Sequence, residues 1–330
     1  MFELRDYQKE ACDLAVEFFN SSSKKRPIAV APTGSGKSIY IADIANRLEA
    51  GILVLQPSKE LLEQNYGKYI SYGGEASIYS ASANSKEVGH VTFATIGSVV
   101  KVPHLFDHVR HVIIDECHLV PPNASSQYMK FLSQLKRVQV LGLTATPIRM
   151  KSYTDPFTDE KYSQLNVLFH ERPRFFNDVL HVTQIRELAD RGYYAPIQYV
   201  PLAFDKSNLE SNSTGAEFSD RSVELAEKQN KIEATLPDVI DAGLRKGRKH
   251  CLAFVRTVAQ ASRLADVLPD SAIVSAQTKK KEREAILEAF KSGKIKTVFN
   301  VNVLTTGFDF PELDFVTLSR PTLSLAMYMQ

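Results

Sequence analysis

The chain has 330 residues, of which 44% are hydrophobic and 24% charged, and its 40 Lys and Arg against 38 Asp and Glu give a net charge of +2. This is the composition of an ordinary soluble globular protein, and the length predicts two domains at roughly 150 residues each. A near-zero net charge neither favours nor excludes nucleic acid, so any polyanion site must come from the local placement of charge.

The three cysteines, Cys12, Cys117 and Cys251, are far apart and form no CxxC pair, so they predict neither a zinc site nor a disulfide framework. The first ten residues, MFELRDYQKE, are charged and lack the apolar stretch of a signal peptide. No stretch approaches the ~18 consecutive apolar residues of a membrane span. We therefore expect a cytoplasmic protein in a reducing compartment, without membrane association.

In the first half of the chain, short apolar runs rich in Val, Ile and Leu alternate with helical patterns. The runs are 27–31, 51–56, 91–95, 111–115 and 138–144, and the clearest helical patterns are 38–51 and 58–70. Runs that scarcely alternate between apolar and polar residues are typical of parallel strands buried on both faces. Strand–helix alternation of this kind predicts an open α/β sheet.

The regular pattern stops after LTATP (143–147). Residues 149–178 show no clear periodicity, residues 205–220 are predicted to be a loop, and one long helix is predicted over 221–246. Strand patterns then return at 250–255, 271–276, 296–301 and 314–319, with helices ending at 268 and spanning 280–292. We predict two α/β domains, 1–200 and 201–330.

The segment APTGSGKS (31–38) follows a predicted strand and opens a predicted helix, which is the context of a phosphate-binding loop. Glycines let the backbone turn and approach the phosphates, the lysine reaches the β- and γ-phosphates, and the hydroxyl that follows it ligates Mg²⁺. The strict pattern has Gly where Ala31 stands, and the alternative is a glycine-rich turn before a helix. The predicted nucleotide-binding residues here are Thr33, Gly34, Ser35, Gly36, Lys37 and Ser38.

The segment VIIDECH (112–118) is a buried strand that ends in two carboxylates. We predict that Asp115 holds Mg²⁺ and that Glu116 activates the attacking water, with Lys37 as the third catalytic residue. An acidic pair at a strand end is otherwise often a solvated turn. Taken alone, Cys117 is a packing residue and His118 a helix-start or surface residue.

Together these segments resemble the superfamily 2 helicases of the DExH type, with the motifs in order along the whole chain. The matching segments are LRDYQKEA (4–11), APTGSGKS (31–38), LQPSKELLEQN (55–65), TFATIGSV (92–99), DECH (115–118), LTATP (143–147), CLAFVRTVAQASRLADVL (251–268), NVLTTGFDFPELD (302–314) and RPTLSLAMYMQ (320–330). The resemblance implies two tandem RecA-like domains with mostly parallel sheets, and ATP with Mg²⁺ as the nucleotide and its metal.

Two short segments, ADRGYYAP (189–196) and LTTGFD (304–309), resemble those of a subgroup, the RadD-type DNA helicases. ResIII-type restriction and phage helicases are looser relatives. In the RadD type, two arginines and a cysteine-rich zinc-binding region follow the position of Gln330. We therefore expect the second domain to be C-terminally truncated within motif VI and ATP turnover to be slow. The alternative is a natural chain end.

The resemblance also implies roles for individual residues. Gln8 would read the adenine, and Gly307 and Asp309 would close on the ribose and phosphates, while His118, Thr144 and Thr146 would couple the nucleotide state to the domain interface. The implied contacts to nucleic-acid phosphates are Ser58, Lys59, Thr95, Arg256, Thr257, Thr305 and Thr306. Helix capping is the alternative for Ser58, Thr95 and Thr257, and the basic run 278–284 is more typical of a solvated helix face.

The leading functional prediction is an ATP-dependent DNA helicase or translocase acting in DNA repair or recombination. The expected partner is single-stranded or branched DNA bound without sequence preference, with a single-strand-binding protein as a further partner and a monomeric state. The alternatives are an ATP-gated nucleic-acid clamp with little turnover, an RNA helicase, and the motor subunit of a restriction system.

Overall fold

A computed structural model describes residues 3–159, 161–213, 217–304, 308 and 310–323. The described residues divide into two compact units, the first within 1–149 and 165–198 and the second within 150–164 and 199–323. Both units are α/β, and their sheets are mostly parallel, which confirms the predicted fold class. None of the helices in the described part of the chain combines the length and the apolar character needed to cross a membrane.

The chain up to residue 190 forms helices and strands that alternate up to residue 144, followed by a hairpin, a further strand and a helix. All lie in the first unit except residues 150–164 of the hairpin, which lie in the second. They are α1 (Asp6–Asn20), β1 (Pro27–Val30), α2 (Lys37–Arg47), β2 (Gly51–Gln56), α3 (Lys59–Ser71), β3 (Ser77–Ser80), β4 (Ser85–Lys86), β5 (Val91–Thr95), α4 (Ile96–Val99), β6 (Val109–Ile114), α5 (Gln127–Leu132), β7 (Gln139–Thr144), β8 (Ile148–Thr154), β9 (Lys161–Val167), β10 (Asp178–Val182) and α6 (Ile185–Asp190).

Among the described residues, the first unit's sheet has eight strands in the order β10-β1-β7-β6-β2-β5-β3-β4, and only the β3–β4 pair is antiparallel. Strand β2 shows why the core lies on both faces. Ile52 and Val54 belong to one buried cluster, and Leu53 and Leu55 belong to the other. Because successive side chains of a strand point to opposite faces, a run of consecutive apolar residues requires helices on both sides.

Several elements at the borders of this sheet were not predicted from the sequence. Residues 148–167 contain the two-stranded sheet β8–β9, and β10, which begins at Asp178, pairs in parallel with β1 as an edge strand. The residues of β10 are only partly buried. Their sequence therefore lacks the continuous apolar run that identified the central strands.

The second unit repeats the α/β plan in a smaller form. Its elements are α7 (Asp220–Gln229), α8 (Ile232–Arg245), β11 (Cys251–Phe254), α9 (Val258–Val267), β12 (Ser271–Ser275), α10 (Lys280–Lys291), β13 (Thr297–Val301) and β14 (Phe315–Leu318). In the described residues the four strands are parallel, in the order β12-β13-β11-β14.

The predicted single helix over 221–246 is wrong, because α7 and α8 are separate helices. Lys231 stands between them with a φ of +50°, a left-handed conformation that no residue of a continuous α-helix adopts. The Asn230 side chain donates to the Ala226 carbonyl at 2.8 Å and so satisfies the end of α7. The predicted helix 38–51 is also too long, since α2 ends at Arg47.

The three cysteines are free thiols buried in the two cores. Cys117 packs tightly against β7, where a Cβ on Gly142 would lie 2.7 Å from its sulfur. This contact agrees with the interpretation of Cys117 as a packing residue.

Candidate functional site

Residues 31–36 join the buried strand β1 to helix α2. Gly34 and Gly36 have φ angles of +80° and +93°, the left-handed region that favours glycine. Lys37 is the first residue of α2, so the unpaired N–H groups at the amino end of that helix lie beside the loop. The structure thus gives the predicted phosphate loop the strand–turn–helix geometry in which nucleotide phosphates bind.

A cavity of about 290 Å³ adjoins this loop, close to the lower size of small-molecule pockets. The Gln8 amide nitrogen donates to the Ser35 carbonyl at 2.9 Å, and the Tyr7 hydroxyl donates to the same carbonyl at 3.0 Å. A Cβ on Gly36 would lie 2.7 Å from the Gln8 amide nitrogen, and the φ of +93° at this position strains any other residue, so glycine is favoured there. The cavity is lined by Glu3, Arg5, Gln8, Gly34, Gly36 and Ile39.

Two tyrosines of the segment ADRGYYAP (189–196), for which the sequence predicted no role, lie at this site: Tyr194 contacts the loop, and Tyr193 contacts Arg5, which lines the adjoining cavity. The Tyr194 hydroxyl donates to the Thr33 carbonyl, and a Cβ on Gly34 would lie 3.6 Å from the Tyr194 hydroxyl oxygen. The guanidinium of Arg5 lies 4.1 Å from the centre of the Tyr193 ring, a cation–π distance. The tyrosines lie about 160 residues from the loop in the chain, so no local pattern could have revealed these contacts.

The carboxylate pair lies at the end of β6. Asp115 is 2% exposed, and its two carboxylate oxygens accept from the Asn65 amide and from the Glu116 N–H, both at 2.9 Å. Glu116 has a φ of +47°, which turns the chain sharply after the strand. Lys37 Nζ lies 3.2 Å from Glu116 Oε1, and both side chains are largely buried. The phosphate loop and the carboxylate pair therefore form one site.

Burial, together with the neighbouring Glu116 carboxylate, raises the pKa of Asp115 to about 6, although Lys37 and the two hydrogen bonds act in the opposite direction. A carboxylate that is costly to ionise in the free protein gains most from a cation placed beside it.

The predicted coupling residues lie next to this pair. His118 Nδ1 and Thr144 Oγ1 share a hydrogen bond of 2.9 Å, and the Thr146 N–H donates to the Thr144 hydroxyl at 3.0 Å. Glu116 Oε2 lies 3.4 Å from His118 Nδ1. Burial lowers the pKa of His118 despite this carboxylate, which favours the neutral imidazole. A continuous polar chain thus runs from the carboxylate pair to the end of β7.

Arg149, which the sequence analysis did not predict, braces the turn that carries DECH. Its guanidinium donates to the carbonyls of His118 at 2.6 and 2.9 Å and of Val120 at 2.6 Å. It also forms an ion pair of 2.9 Å with the buried Glu171. Three bonds from one rigid fork fix the path of the backbone just after Glu116.

The residues at this site fit Mg²⁺. Asp115 offers carboxylate oxygens and Ser38, in the first turn of α2, offers a hydroxyl, and both are hard oxygen ligands. No cluster of three or more His, Cys, Asp or Glu residues suited to a metal occurs in the described ranges. Mg²⁺ at nucleotide sites takes one or two protein ligands and completes its shell with phosphates and water. Ser38 and Asp115 are therefore sufficient protein ligands.

The predicted nucleic-acid contacts of the first unit lie at the carboxyl ends of β2 and β5. Ser58 caps α3 by accepting from the Leu61 N–H at 3.3 Å, and Lys59 pairs with Glu63 at 3.5 Å. Thr95 precedes α4 without capping it, and its hydroxyl instead bonds the hydroxyls of Ser80 and Ser98.

In the second unit, Thr257 caps α9 by accepting from the Gln260 N–H at 3.1 Å. Arg256 Nε pairs with the buried Glu227 at 2.9 Å, so its guanidinium is already engaged within the unit. Thr305, Thr306, Gly307 and Asp309 lie outside the described residues, as does Gln330. In the basic run 278–284, Lys280 pairs with Glu284 along the helix, as on a solvated face.

Comparison with known proteins places family models on both halves of the chain. Residues 1–149 match the model described as "Type III restriction enzyme, res subunit", and residues 230–330 match the "Helicase conserved C-terminal domain".

Sequence relatives match nearly the whole chain. A putative ATP-dependent helicase, IRC3, from Saccharomyces cerevisiae is 23% identical over 99% of this chain and 48% of its own length. A putative DNA 3'-5' helicase, Rad25, from Halobacterium salinarum is 26% identical over 96% of this chain and 49% of its own length. The chain thus spans about half the length of these relatives.

Among solved structures, Dbp5 from S. cerevisiae bound to RNA and ADP BeF3 matches with a TM-score of 0.59 at 17% identity, over 98% of this chain and 78% of that one. At this level of identity the match concerns the fold alone, and it agrees with two tandem RecA-like units.

Proposed function

Since the chain belongs to the superfamily 2 helicases, we propose that it is an ATP-dependent motor that couples ATP hydrolysis to movement on DNA. The observation that carries this proposal is the 3.2 Å contact between Lys37 and Glu116. It joins a phosphate-binding loop to a carboxylate positioned to activate water. A phosphate loop by itself would support nucleotide binding alone, whereas the pair supports hydrolysis.

In this proposal Lys37 exchanges Glu116 for the β- and γ-phosphates when ATP binds. Glu116 is then released to orient and deprotonate the attacking water. Because Glu116 is 7% exposed, its charge acts in an environment with little competing water, which strengthens its effect on the reaction. Mg²⁺ held by Ser38 and Asp115 would neutralise charge on the phosphates. Gln8, beside the cavity next to the loop, would contact the adenine.

Transmission to the rest of the protein would begin at His118. Its hydrogen bond to Thr144 connects the Glu116 turn to Thr146, so a shift of Glu116 alters the end of β7. Gly307 and Asp309 of the second unit remain part of the proposed nucleotide site on the strength of the family resemblance.

We propose DNA as the track, bound through its phosphates and without sequence preference. This choice is supported by the names of the relatives, several of which are called DNA helicases or translocases. Hydroxyl groups that cap a helix, as in Ser58 and Thr257, or bond other hydroxyls, as in Thr95, can also contact phosphate, so all three keep their proposed role. Arg256 would need to loosen its pair with Glu227 to join them. A role in repair or recombination, a monomeric state and a cytoplasmic location complete the proposal.

The test is ATP hydrolysis by the purified chain with and without single-stranded DNA. Lys37→Ala and Glu116→Gln should each lower the stimulated rate by about 10²-fold or more, because each removes a group that acts on the phosphates or the water. Lys25→Ala, which breaks an exposed pair with Asp178, is the matched control and should leave the rate unchanged.

DNA-stimulated turnover that survives in Lys37→Ala would show that this site is not the motor's active site. Binding of ATP and DNA by the unmodified chain without turnover would favour the ATP-gated clamp instead.

A further inference from the structure

A second cavity, of about 410 Å³, lies in the other unit, and we call it the basic cavity. Four of the residues that line it are cationic: Arg248, Lys249, Lys291 and Lys296. One carboxylate, Glu312, also lines it. Glu312 lies within the helicase segment 302–314. The four cationic residues lie outside all of the helicase segments named above.

The topology of the second sheet explains why the cations meet. The runs RKGRKH (245–250) and KSGKIK (291–296) contain seven Lys or Arg residues and no acid in 12 positions. They lead directly into β11 and β13, which are parallel neighbours with Cys251 opposite Thr297. Because the amino ends of neighbouring parallel strands lie at one edge of a sheet, the two basic runs are brought side by side.

Most of this positive charge has no carboxylate partner. Arg248, Lys249 and Lys291 form no ion pair with any described residue, whereas Lys296 pairs with Asp270 at 3.3 Å on the surface. The cavity therefore retains a net positive charge even when Glu312 is counted.

The remaining nearby carboxylate is already engaged. Asp314 accepts from the backbone N–H groups of Lys249, at 3.0 and 3.1 Å, and of His250, at 2.9 Å. These bonds hold the strand entry in place and leave the lysine side chain itself available.

His250 is a further polar residue at this cavity. It lines the basic cavity and is 95% buried, between the rings of Phe290 and Phe310. Its Nδ1 is buried without a hydrogen-bond partner among the described residues. A buried polar group without a partner calls for an explanation in a native protein, such as an ordered water or ion.

We propose that the basic cavity binds backbone phosphates of nucleic acid, as a contact separate from the track formed by the helicase motifs. Arg248, Lys249 and Lys291 would pair with phosphate oxygens, and the ring of His250, which lines the cavity, would lie beside the bound group. Nucleic acid as the occupant rests on the proposed function, whereas the anionic character of the ligand does not.

The basic cavity lies apart from the nucleic-acid contacts proposed for the helicase motifs, so it would be a separate contact. The motif residues Arg256 and Thr257 follow β11, at the opposite end of the strand from His250. The four residues of β11 span about 13 Å at ~3.3 Å each, and His250 and Arg256 lie beyond its two ends. A nucleic acid that reaches both sites must pass around the unit or present two segments.

Several exposed cations along two adjacent runs suit a chain of phosphates better than a single small anion. A small anion site is typically built from a few enclosed donors, whereas polynucleotides are bound by mobile surface cations that release counterions.

The test is binding of a fluorescent single-stranded oligonucleotide by the full chain at several salt concentrations. The triple variant Arg248→Ala/Lys249→Ala/Lys291→Ala should bind more weakly at low salt. The slope of log affinity against log salt should be shallower by about 2, at roughly 0.7 per lost phosphate contact. A control that removes three exposed lysines of the first unit, Lys24→Ala/Lys130→Ala/Lys136→Ala, matches the change in net charge and should keep the slope.

Measuring ATP hydrolysis in the same variants shows whether the basic cavity or the proposed motor function is wrong. A triple variant with an unchanged salt slope and intact DNA-stimulated ATP hydrolysis would overturn the basic cavity as a nucleic-acid site while leaving the motor in place. A shallower slope in a chain that never hydrolyses ATP would support the site and refute the motor.

Two further readouts address the ligand itself. The ring NMR signals of His250, assigned with a His250→Gln variant, should shift when the oligonucleotide is added to the unmodified chain and not to the triple variant. If the His250 signals do not move, the oligonucleotide does not bind at the basic cavity and the proposal is overturned. It is also overturned if the triple variant keeps its affinity for the oligonucleotide and loses binding only to a Glu-rich peptide, because the ligand is then an acidic protein.

Discussion

The brace formed by Arg149 gives a quantitative prediction about stability. Replacing it with Met removes the partner of Glu171, which is 8% exposed, and three hydrogen bonds to the carbonyls of His118 and Val120. Breaking one side of a buried ion pair costs about 3–5 kcal/mol, and we take the lower end because Arg149 itself is 21% exposed. We therefore expect Arg149→Met to destabilise the first unit by about 3 kcal/mol, or ~6–12 °C in Tm.

The assay is thermal unfolding followed by far-UV circular dichroism, since the chain contains no Trp to serve as a fluorescent probe. Arg47→Met is the matched control, because Arg47 also pairs with carboxylates, Asp13 at 2.7 Å and Asp43 at 3.1 Å, but is 38% exposed. Exposed pairs contribute at most about 1 kcal/mol. If Arg149→Met lowers Tm by no more than the control does, the bonds of Arg149 to Glu171, His118 and Val120 do not stabilise the first unit as expected.

Two further predictions concern the phosphate loop and the thiols. Gly36→Ala should weaken nucleotide binding about 5- to 30-fold, because the added Cβ would lie 2.7 Å from the Gln8 amide nitrogen at a φ of +93° and cost about 1–2 kcal/mol. In Gly67→Ala the new Cβ meets nothing within 4 Å, so fluorescent-nucleotide titration should show unchanged affinity, and equal losses in both would contradict the steric reasoning. Burial raises the pKa of Cys251 to about 12 and also raises the pKa values of Cys12 and Cys117. The thiols are therefore protonated at about pH 8, so a disulfide reagent should label none in the native chain and all three after unfolding, and rapid native labelling would contradict their burial.

The sequence predicted the parts of the fold that are buried on both faces, and it failed where burial is partial. Strands β2 and β5 match their predicted runs because every residue of β2, and all but the last of β5, is buried, so both read as continuous apolar stretches. The edge strand β10 and the hairpin β8–β9 were missed because polar residues interrupt them. The break at Lys231 was missed because one left-handed residue leaves no trace in helical periodicity.

For the candidate site, the motif residues could be predicted because each lies in a short segment with its own chemistry. The loop at 31–38 and the pair Asp115–Glu116 needed only local spacing. The contacts that hold these residues in place could be identified only from the folded structure. Asn65 reaches Asp115 across 50 positions, and Tyr194 reaches Thr33 from the end of the unit, and neither contact has a sequence signature.

The strand order also sets the distance between the phosphate loop and the carboxylate pair. Strand β7 lies between β1, which leads to the phosphate loop, and β6, which leads to the carboxylate pair. Two strand spacings of ~4.8 Å hold these two strands about 10 Å apart, a gap that Lys37 is long enough to cross and that leaves room for a phosphate group. Since backbone hydrogen bonds set this width, apolar side chains within β7 can be exchanged without changing it. Mutations in the core of β7 should therefore alter the stability of the protein well before they alter the geometry of the proposed nucleotide site.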